Sequence, residues 1–258
     1  MSTQKPDGIL IYGELTSENK LRPAVKQLLT KARSLQLKLG GEPVRVCVIC
    51  GEINCSGIIS EAGSYGADEV IIISLAGLEQ YDRNYYPEIF YQTALKYFPR
   101  IILTGADIQS KEISAYAAAR LNTGLTADCT NLDIGENNLL LSTRPAFGGQ
   151  LTADILCRTF PQMASVQENV FKEEKIEHSA QAKFEIFDLN KFEKRIEIIS
   201  TESKTPQNKD ITKADIVIAG GLGACRDNGF ELINKLAEKL CNLGAQADTG
   251  TSYKLSNE

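Results

Sequence analysis

The sequence predicts an α/β fold with a central parallel sheet, followed by a polar linker and the first strand and helix of a second domain. Short apolar runs alternate with longer helical patterns up to about residue 121. A polar stretch containing Pro206 then interrupts the chain, and a glycine-rich turn follows a late apolar run. Strands and helices that alternate in this way are typical of right-handed βαβ units with helices on both faces of the sheet.

Four runs of mostly β-branched apolar residues predict the strands of the sheet, because they lack polar alternation and suit burial on both faces. They are 8–15, 44–50, 69–75 and 100–106. Helices are predicted at 21–39, 56–65, 88–97 and 110–121, with Ser110 as the N-cap of the last. This order is typical of a Rossmann-like N-terminal domain.

After residue 121 the pattern changes to short strand-like pieces divided by glycine, asparagine and proline. We interpret these pieces, 124–134, 138–150, 151–158 and 160–167, as a strand meander added to the same sheet. The charged segment 171–184 is weakly periodic, and 195–201 predicts one more strand. The N-terminal domain is therefore assigned to 1–200, the linker to 201–213 and the second domain to 214–258.

The composition argues against several classes of protein. With 258 residues, of which 43% are hydrophobic, the chain can build packed cores, and its net charge of −5 disfavours nucleic acid as a partner. No apolar run approaches the roughly 18 residues of a membrane span, and the first residues lack a signal-peptide pattern. The seven cysteines lie scattered through apolar segments, which indicates reduced thiols and a cytoplasmic protein.

The sequence does not indicate a self-contained catalytic site or a metal site. Cys47, Cys50 and Cys55 are close in sequence, but the first two lie three apart in a predicted strand and so point to opposite faces. His178, the only histidine, lies in a charged stretch and is expected on the solvated surface. The neighbouring Glu173 and Glu174 alternate with lysines, which is typical of a solvated face.

A cofactor site is predicted at the glycine turn late in the chain. Gly220, Gly221 and Gly223 come directly after a predicted strand and before a predicted helix, where backbone amides can hold a phosphate oxygen. Arg226 stands where the dinucleotide pattern G-x-G-x-x-G has its last glycine. A tight turn without any ligand is therefore an equally good interpretation.

The stretch "STRPAFGGQ", residues 142–150, predicts a hairpin turn that also serves as an interface. Arg144 and Phe147 are of residue types enriched where subunits meet. The two interpretations are compatible, because a hairpin tip is exposed.

Four segments together resemble the α-subunit of the electron transfer flavoproteins. They are "ARLNTGLTADCTNLDI", "TRPAFGGQLTADILC", "PQMASVQENVF" and "DIVIAGGLG" with the helix that follows it. The resemblance runs from about residue 8 to Ala245. It implies a heterodimer with a β-subunit, an FAD held mainly by the second domain, and electrons passed from dehydrogenases such as acyl-CoA dehydrogenase to an acceptor.

Two positions depart from the family pattern within the second domain. Leu222 stands where the family has an arginine between glycines, so Gly220, Gly221, Leu222 and Gly223 would bind FAD without that charge. The family motif Gly-Ala-Ser-Arg aligns with residues 244–247, where Ala247 replaces the arginine near the flavin ring. We expect these contacts to be too few for tight FAD binding.

The sequence after the linker predicts one strand and one helix, a FAD-binding domain shortened at its C-terminus. Such a unit has no second strand for pairing, so the apolar face of its helix must be covered by the first domain or a partner, or stay exposed. The resemblance indicates an electron-carrier subunit and not a self-contained enzyme. The alternatives are a non-redox docking module and the product of a frameshifted or split gene.

Overall fold

A computed structural model gives the fold of the chain in two compact units, Met1–Glu197 and Ile198–Glu258. The structure describes residues 5–51, 53–75, 81–188, 196–197, 199–200, 211, 214–225 and 228–251. The predicted linker 201–213 lies outside the described residues except for Ile211, so its assignment stays a prediction.

The first unit contains a seven-stranded sheet in which all neighbouring strands are parallel. Its strands are β1 (Ile9–Tyr12), β2 (Val44–Cys50), β3 (Glu69–Ser74), β4 (Ile101–Gly105), β5 (Leu125–Cys129), β9 (Gln162–Val166) and β10 (Gln181–Glu185). Their order is β10-β3-β2-β1-β4-β9-β5. This confirms the predicted α/β class with a mostly parallel sheet.

Four helices cover the two faces of this sheet and confirm the predicted helices to within two residues at each end. They are α1 (Pro23–Lys38), α2 (Ser56–Ser64), α3 (Tyr86–Tyr97) and α4 (Ile108–Leu121). The core residues of β1 alternate between the faces: Ile9 and Ile11 pack with α1 and α2, whereas Leu10 and Tyr12 pack with α3 and α4. Cys47 and Cys50 lie in opposite faces, as predicted.

The prediction that the strands between residues 124 and 167 form a meander within the parallel sheet is wrong. Only β5 and β9 join the parallel sheet, whereas β6 (Asn131–Ile134), β7 (Leu140–Ala146) and β8 (Leu151–Leu156) form a separate antiparallel sheet. The buried Gln162 connects the two sheets: its amide oxygen accepts from the Leu140 N–H at 2.9 Å and its amide nitrogen donates to the Cys157 carbonyl. The hairpin β7–β8 itself confirms the predicted turn at 147–149.

The sequence analysis missed the edge strand of the parallel sheet, β10. This strand pairs with β3 on the side away from β2, and it lies within a segment that alternates charged and small residues. The described residues of the predicted strand 195–201, which are 196, 197, 199 and 200, lie in no strand. Sequence hydrophobicity misses β10 because an edge strand with mostly exposed side chains needs no apolar run.

The second unit contains a parallel βαβ arrangement. It consists of β11 (Ile216–Gly220), α5 (Gly229–Asn242) and β12 (Ala247–Thr251), with β11 and β12 paired in register from Ile216–Ala247 to Gly220–Thr251. The prediction that the helix is followed by no second strand is therefore wrong. The pairing is made by backbone groups, so the polar sequence of β12 did not signal it.

Among the described residues, no helix combines the length and the apolar character that a membrane crossing requires.

Candidate functional site

The glycine turn of the second unit connects β11 to α5 through a short 3₁₀ turn, Leu222–Cys225. The Ala224 N–H donates to the Gly221 carbonyl at 2.9 Å and closes this turn. The helix α5 then begins at Gly229, after Asn228 in the left-handed conformation. Gly221 thus precedes the 3₁₀ turn and Gly223 lies within it, so neither glycine is at the N-terminus of α5 as predicted.

The glycines between β11 and α5 differ in what surrounds them. A Cβ on Gly220 would lie 2.5 Å from the Phe230 ring, so this glycine lets α5 pack against the end of β11. A Cβ on Gly229 would lie 2.8 Å from the Ala224 backbone, a close approach that the sequence prediction missed. By contrast, a Cβ on Gly221 or Gly223 would meet no atom of the described residues within 4 Å. These two glycines face open space, where a ligand can approach the backbone.

The geometry of the turn is compatible with a bound phosphate group. The open side of Gly221 and Gly223 gives an oxygen atom access to backbone N–H groups. Leu222 is 70% exposed and the 3₁₀ turn Leu222–Cys225 carries no charged side chain. Among the described residues of the turn, a phosphate would therefore be held by backbone dipoles without a charge-assisted bond.

Ala247, the second position at which the sequence departs from the family pattern, lies in a different environment from Leu222. Ala247 begins β12 and is only 9% exposed, and the carbonyl of Gln246 accepts from the N–H groups of Asp215 and Ile216. These backbone hydrogen bonds connect the start of β11 to the residue before β12. Residues 246 and 247 thus have a structural role in the described unit.

The apolar face of α5 is partly covered, which corrects the prediction that this unit alone gives it no cover. Ala237 is buried, and Phe230 and Ile233 contact the position of Gly220. Leu232 and Leu236 remain 71% and 48% exposed. The βαβ unit therefore covers one part of the helix and leaves another part in solvent.

The hairpin β7–β8 of the first unit presents an apolar surface. Phe147 at its tip is 80% exposed, and the outer strand β8 exposes Leu151, Ile155 and Leu156. Arg144 is half-buried within β7, so of the two predicted interface residues only Phe147 is fully exposed. We call the exposed residues Phe147, Leu151, Ile155 and Leu156 the hairpin surface.

A polar cluster that the sequence prediction missed lies where β1 and β4 end. Asp107, and not Ser110 as predicted, is the N-cap of α4, and its carboxylate accepts from the Ser110 N–H at 3.0 Å. The Ser110 hydroxyl donates to Glu14, which also pairs with Arg22 at 2.9 Å. Burial and the nearby Asp107 raise the pKa of Glu14 to about 7.

The position of this cluster in the sheet order indicates a ligand site. In the sheet order, β1 is flanked by β2 on one side and by β4 on the other, so the direction of winding changes between β1 and β4. Ligands of open α/β sheets bind at the carboxyl ends of strands at such a switch point. The sheet order, which the structure shows and the sequence does not, is therefore what identifies Glu14 and Asp107 as candidates.

His178 does not lie on a fully solvated surface as predicted. Its ring nitrogen Nε2 lies 3.0 Å from Asp68, and its side chain is 27% exposed. Asp68 also accepts from Arg33, Gln36 and the Val44 N–H, so it joins α1, β2 and the segment that leads to β10. His178 thus has a structural contact, and Glu173 and Glu174 nearby are exposed as predicted.

Comparison with known proteins identifies the family. The family model described as the electron transfer flavoprotein domain matches residues 9–191. The electron transfer flavoprotein subunit alpha of Thermoanaerobacterium thermosaccharolyticum is 35% identical over 235 residues, which cover 90% of this chain and 70% of that protein. This chain belongs to the electron transfer flavoprotein α-subunit family.

Two further relatives extend the range of the family's names. Protein FixB of Clostridium saccharobutylicum is 35% identical over 90% of this chain and 69% of its own length. The acryloyl-CoA reductase electron transfer subunit beta of Anaerotignum propionicum is 30% identical over 87% of this chain and 69% of its own length. The electron transfer flavoprotein domain match, 9–191, lies within the first unit of the chain.

Proposed function

We propose that this chain is the α-subunit of an electron transfer flavoprotein, which binds a β-subunit and relays electrons from dehydrogenases through FAD. The observation that carries the proposal is the similarity over 90% of the chain to a relative named electron transfer flavoprotein subunit alpha. The relative named as an acryloyl-CoA reductase electron transfer subunit supports dehydrogenases of acyl-CoA type as partners. The chain acts as a carrier subunit and does not itself transform a substrate.

The cofactor in this proposal is FAD, and the turn of the second unit holds its phosphates. Gly220 sets the packing of α5, while Gly221, Leu222 and Gly223 form the open part of the turn. FAD supplies the redox chemistry when it is bound. The chain's own contribution is to position the phosphates through the amides of this turn, with low affinity because Leu222 provides no charge.

The partner in this proposal is a β-subunit that contacts the hairpin surface. Exposed aromatic and aliphatic residues grouped at a hairpin tip and an outer strand are typical of a protein interface. The same surface favours a second candidate function, a docking module that binds the β-subunit without FAD. All seven cysteines are free thiols, which supports a reducing compartment and hence the cytoplasm.

The test is the amount of flavin bound by the chain purified with a co-expressed β-subunit, measured from the visible absorbance. Near-stoichiometric FAD in this complex would mean that the β-subunit supplies the affinity that the turn alone lacks. This FAD is expected to be lost on substitution of Gly223 by alanine, because the added methyl group enters the open side of the turn. Gly57→Ala is the matched control, since Gly57 also faces open space but lies in α2. A complex without flavin would contradict electron transfer and leave the docking module.

The role of the hairpin surface is tested by Phe147→Asn. Asparagine tolerates the left-handed backbone of this residue and removes the exposed ring, so the affinity for the β-subunit falls about tenfold, as for a truncated interface aromatic, with unchanged melting temperature. Leu37→Asn removes an apolar side chain that is 75% exposed on α1 and leaves the affinity unchanged. Equal affinities for both variants in a titration would exclude the hairpin surface from the interface.

A further inference from the structure

The first unit contains a cavity of about 440 Å³ at the switch point between β1 and β4. Its lining includes Glu14, Arg22, Tyr81, Arg83, Asp107 and Gln109. A volume of this size lies in the range of small-molecule sites, and its position is where open α/β sheets bind ligands. All residues that line the cavity belong to the first unit, whereas the glycine turn belongs to the second unit.

One polar atom in the cavity has no partner among the described residues. The hydroxyl oxygen of Tyr81 is buried without a hydrogen bond, while the ring packs edge-on against Tyr86 at 5.2 Å. The Glu112 carboxylate lies close to this hydroxyl but does not meet hydrogen-bond geometry. Burial, together with this carboxylate, raises the pKa of the phenol well above its usual value. The neighbouring Tyr12 differs, since its hydroxyl accepts from Gln109 at 2.6 Å. A buried hydroxyl without a partner costs free energy that a ligand can recover.

Two arginines at the cavity are each fixed by one ion pair, and their terminal Nη groups remain as hydrogen-bond donors. Arg22 uses its Nε for Glu14 at 2.9 Å, and Arg83 uses its Nε for Glu112 at 3.1 Å. Their side chains are 46% and 56% exposed, so the guanidinium groups also reach solvent. Within the described part of the chain, their terminal nitrogens make no other ion pair. Guanidinium groups with free Nη donors are well suited to phosphate oxygens.

The remaining polar groups suit hydroxyl groups. The carboxyl groups of Glu14 and Asp107 lie next to each other, with the Gln109 amide beside them in the lining. A second anion beside this carboxyl pair would be repelled, whereas hydroxyl groups donate to carboxylates. The cavity therefore combines an arginine side, where Arg22 pairs with Glu14 and Arg83 pairs with Glu112, with an acceptor side.

We propose that this cavity binds a small phosphorylated polyol, with its phosphate on Arg22, Arg83 and the Tyr81 hydroxyl and its hydroxyl groups on Asp107 and Gln109. The phosphate gives the buried phenol an acceptor, and the polyol fills the acceptor side of the cavity. This site goes beyond the electron-transfer function and does not depend on bound FAD.

The test is calorimetric titration of the full chain with ribose 5-phosphate, ribose and inorganic phosphate. Ribose 5-phosphate is expected to bind at least about tenfold more tightly than either smaller probe, since only it uses both sides of the cavity. Absence of binding at millimolar ribose 5-phosphate would overturn the proposal. Equal binding of inorganic phosphate would overturn the assignment of a polyol.

Two tyrosine variants separate ligand recognition from folding. Tyr81→Phe is expected to weaken ribose 5-phosphate binding about tenfold, with an unchanged melting temperature, because the hydroxyl has no described partner in the free chain. Tyr97→Phe is the matched control: its hydroxyl donates to Glu185 at 2.8 Å, so this variant is expected to lose stability and keep full binding. Unchanged binding by Tyr81→Phe would remove the phenol from the site and contradict the proposed pose.

Discussion

The two units of this chain contain parallel strands of similar apolar sequence in very different surroundings. In the first unit, Ile102 of β4 is 0% exposed, because helices pack on both faces of the sheet. In the second unit, Ile216 and Val217 of β11 are 39% and 44% exposed, because among the described residues of this unit one helix and one neighbouring strand cover them. An apolar run thus specifies a strand, while the number of neighbours decides how much the strand contributes to stability.

The largest expected effect sharpens this comparison with the same substitution in both units. Ile102→Ala leaves a cavity in a closed core and is expected to lower the free energy of unfolding of the first unit by about 3 kcal/mol. Ile216→Ala removes a side chain already in contact with water and is expected to cost about 1 kcal/mol or less. Urea unfolding of the full chain, followed by hydrogen exchange in β4 and β11, measures both. Equal losses would show that β11 is covered in solution.

A second comparison concerns a glutamate in each unit. The raised pKa of Glu14 means that the folded chain binds more protons than the unfolded chain between its ordinary pKa of 4.5 and about 7. The free energy of unfolding therefore falls as the pH rises through this interval and is level above it.

The expected size of this effect is about 2–3 kcal/mol, and Glu14→Gln removes it. Glu231→Gln is the matched control, because Glu231 is 58% exposed on α5 in its ion pair with Lys235. Urea midpoints at pH 5 and pH 7.5 give the measurement. A pH dependence that persists in Glu14→Gln would assign it to another group.

The smallest expected effect concerns the first βα turn of each unit. A Cβ on Gly13 would lie 2.8 Å from Val46 and Val48, so the backbone there is enclosed, whereas the turn at Gly221 and Gly223 is open. Leu222→Arg adds a cation beside the open turn and is expected to tighten FAD binding about tenfold. Leu222→Gln, of similar length without the charge, is expected to leave the affinity unchanged, and fluorescence titration with FAD compares the two.

The sequence predicts the strands whose side chains are buried in the core. It does not predict the strands that are held mainly by backbone hydrogen bonds. The strands β1 to β4 were predicted because β-branched runs such as "VRVCVIC" and "EVIIIS" are packed on both faces. The strands β10, "QAKFE", and β12, "ADTGT", were missed because their pairing uses amides and carbonyls that every residue has. Pairing between β6, β7 and β8 was misassigned for the same reason.

The candidate sites divide in a similar way. The glycine turn was found from composition, yet only the structure separates Gly220, which packs against Phe230, from Gly221 and Gly223, which face open space. The cavity could not be found from a motif, because Glu14, Tyr81 and Asp107 come from three separate connections. Only the sheet order brings them together.

The pairing of β10 with β3 has a consequence for synthesis of the chain on the ribosome. Asp68 lies just before β3 and His178 lies just before β10, and the two residues, which contact each other, are separated by 110 residues in the sequence. At the usual rate of about 5–20 residues per second, β3 emerges roughly 5–20 s before its edge partner exists. During that interval the outer edge of the nascent sheet offers unpaired amides and carbonyls to chaperones and to neighbouring chains.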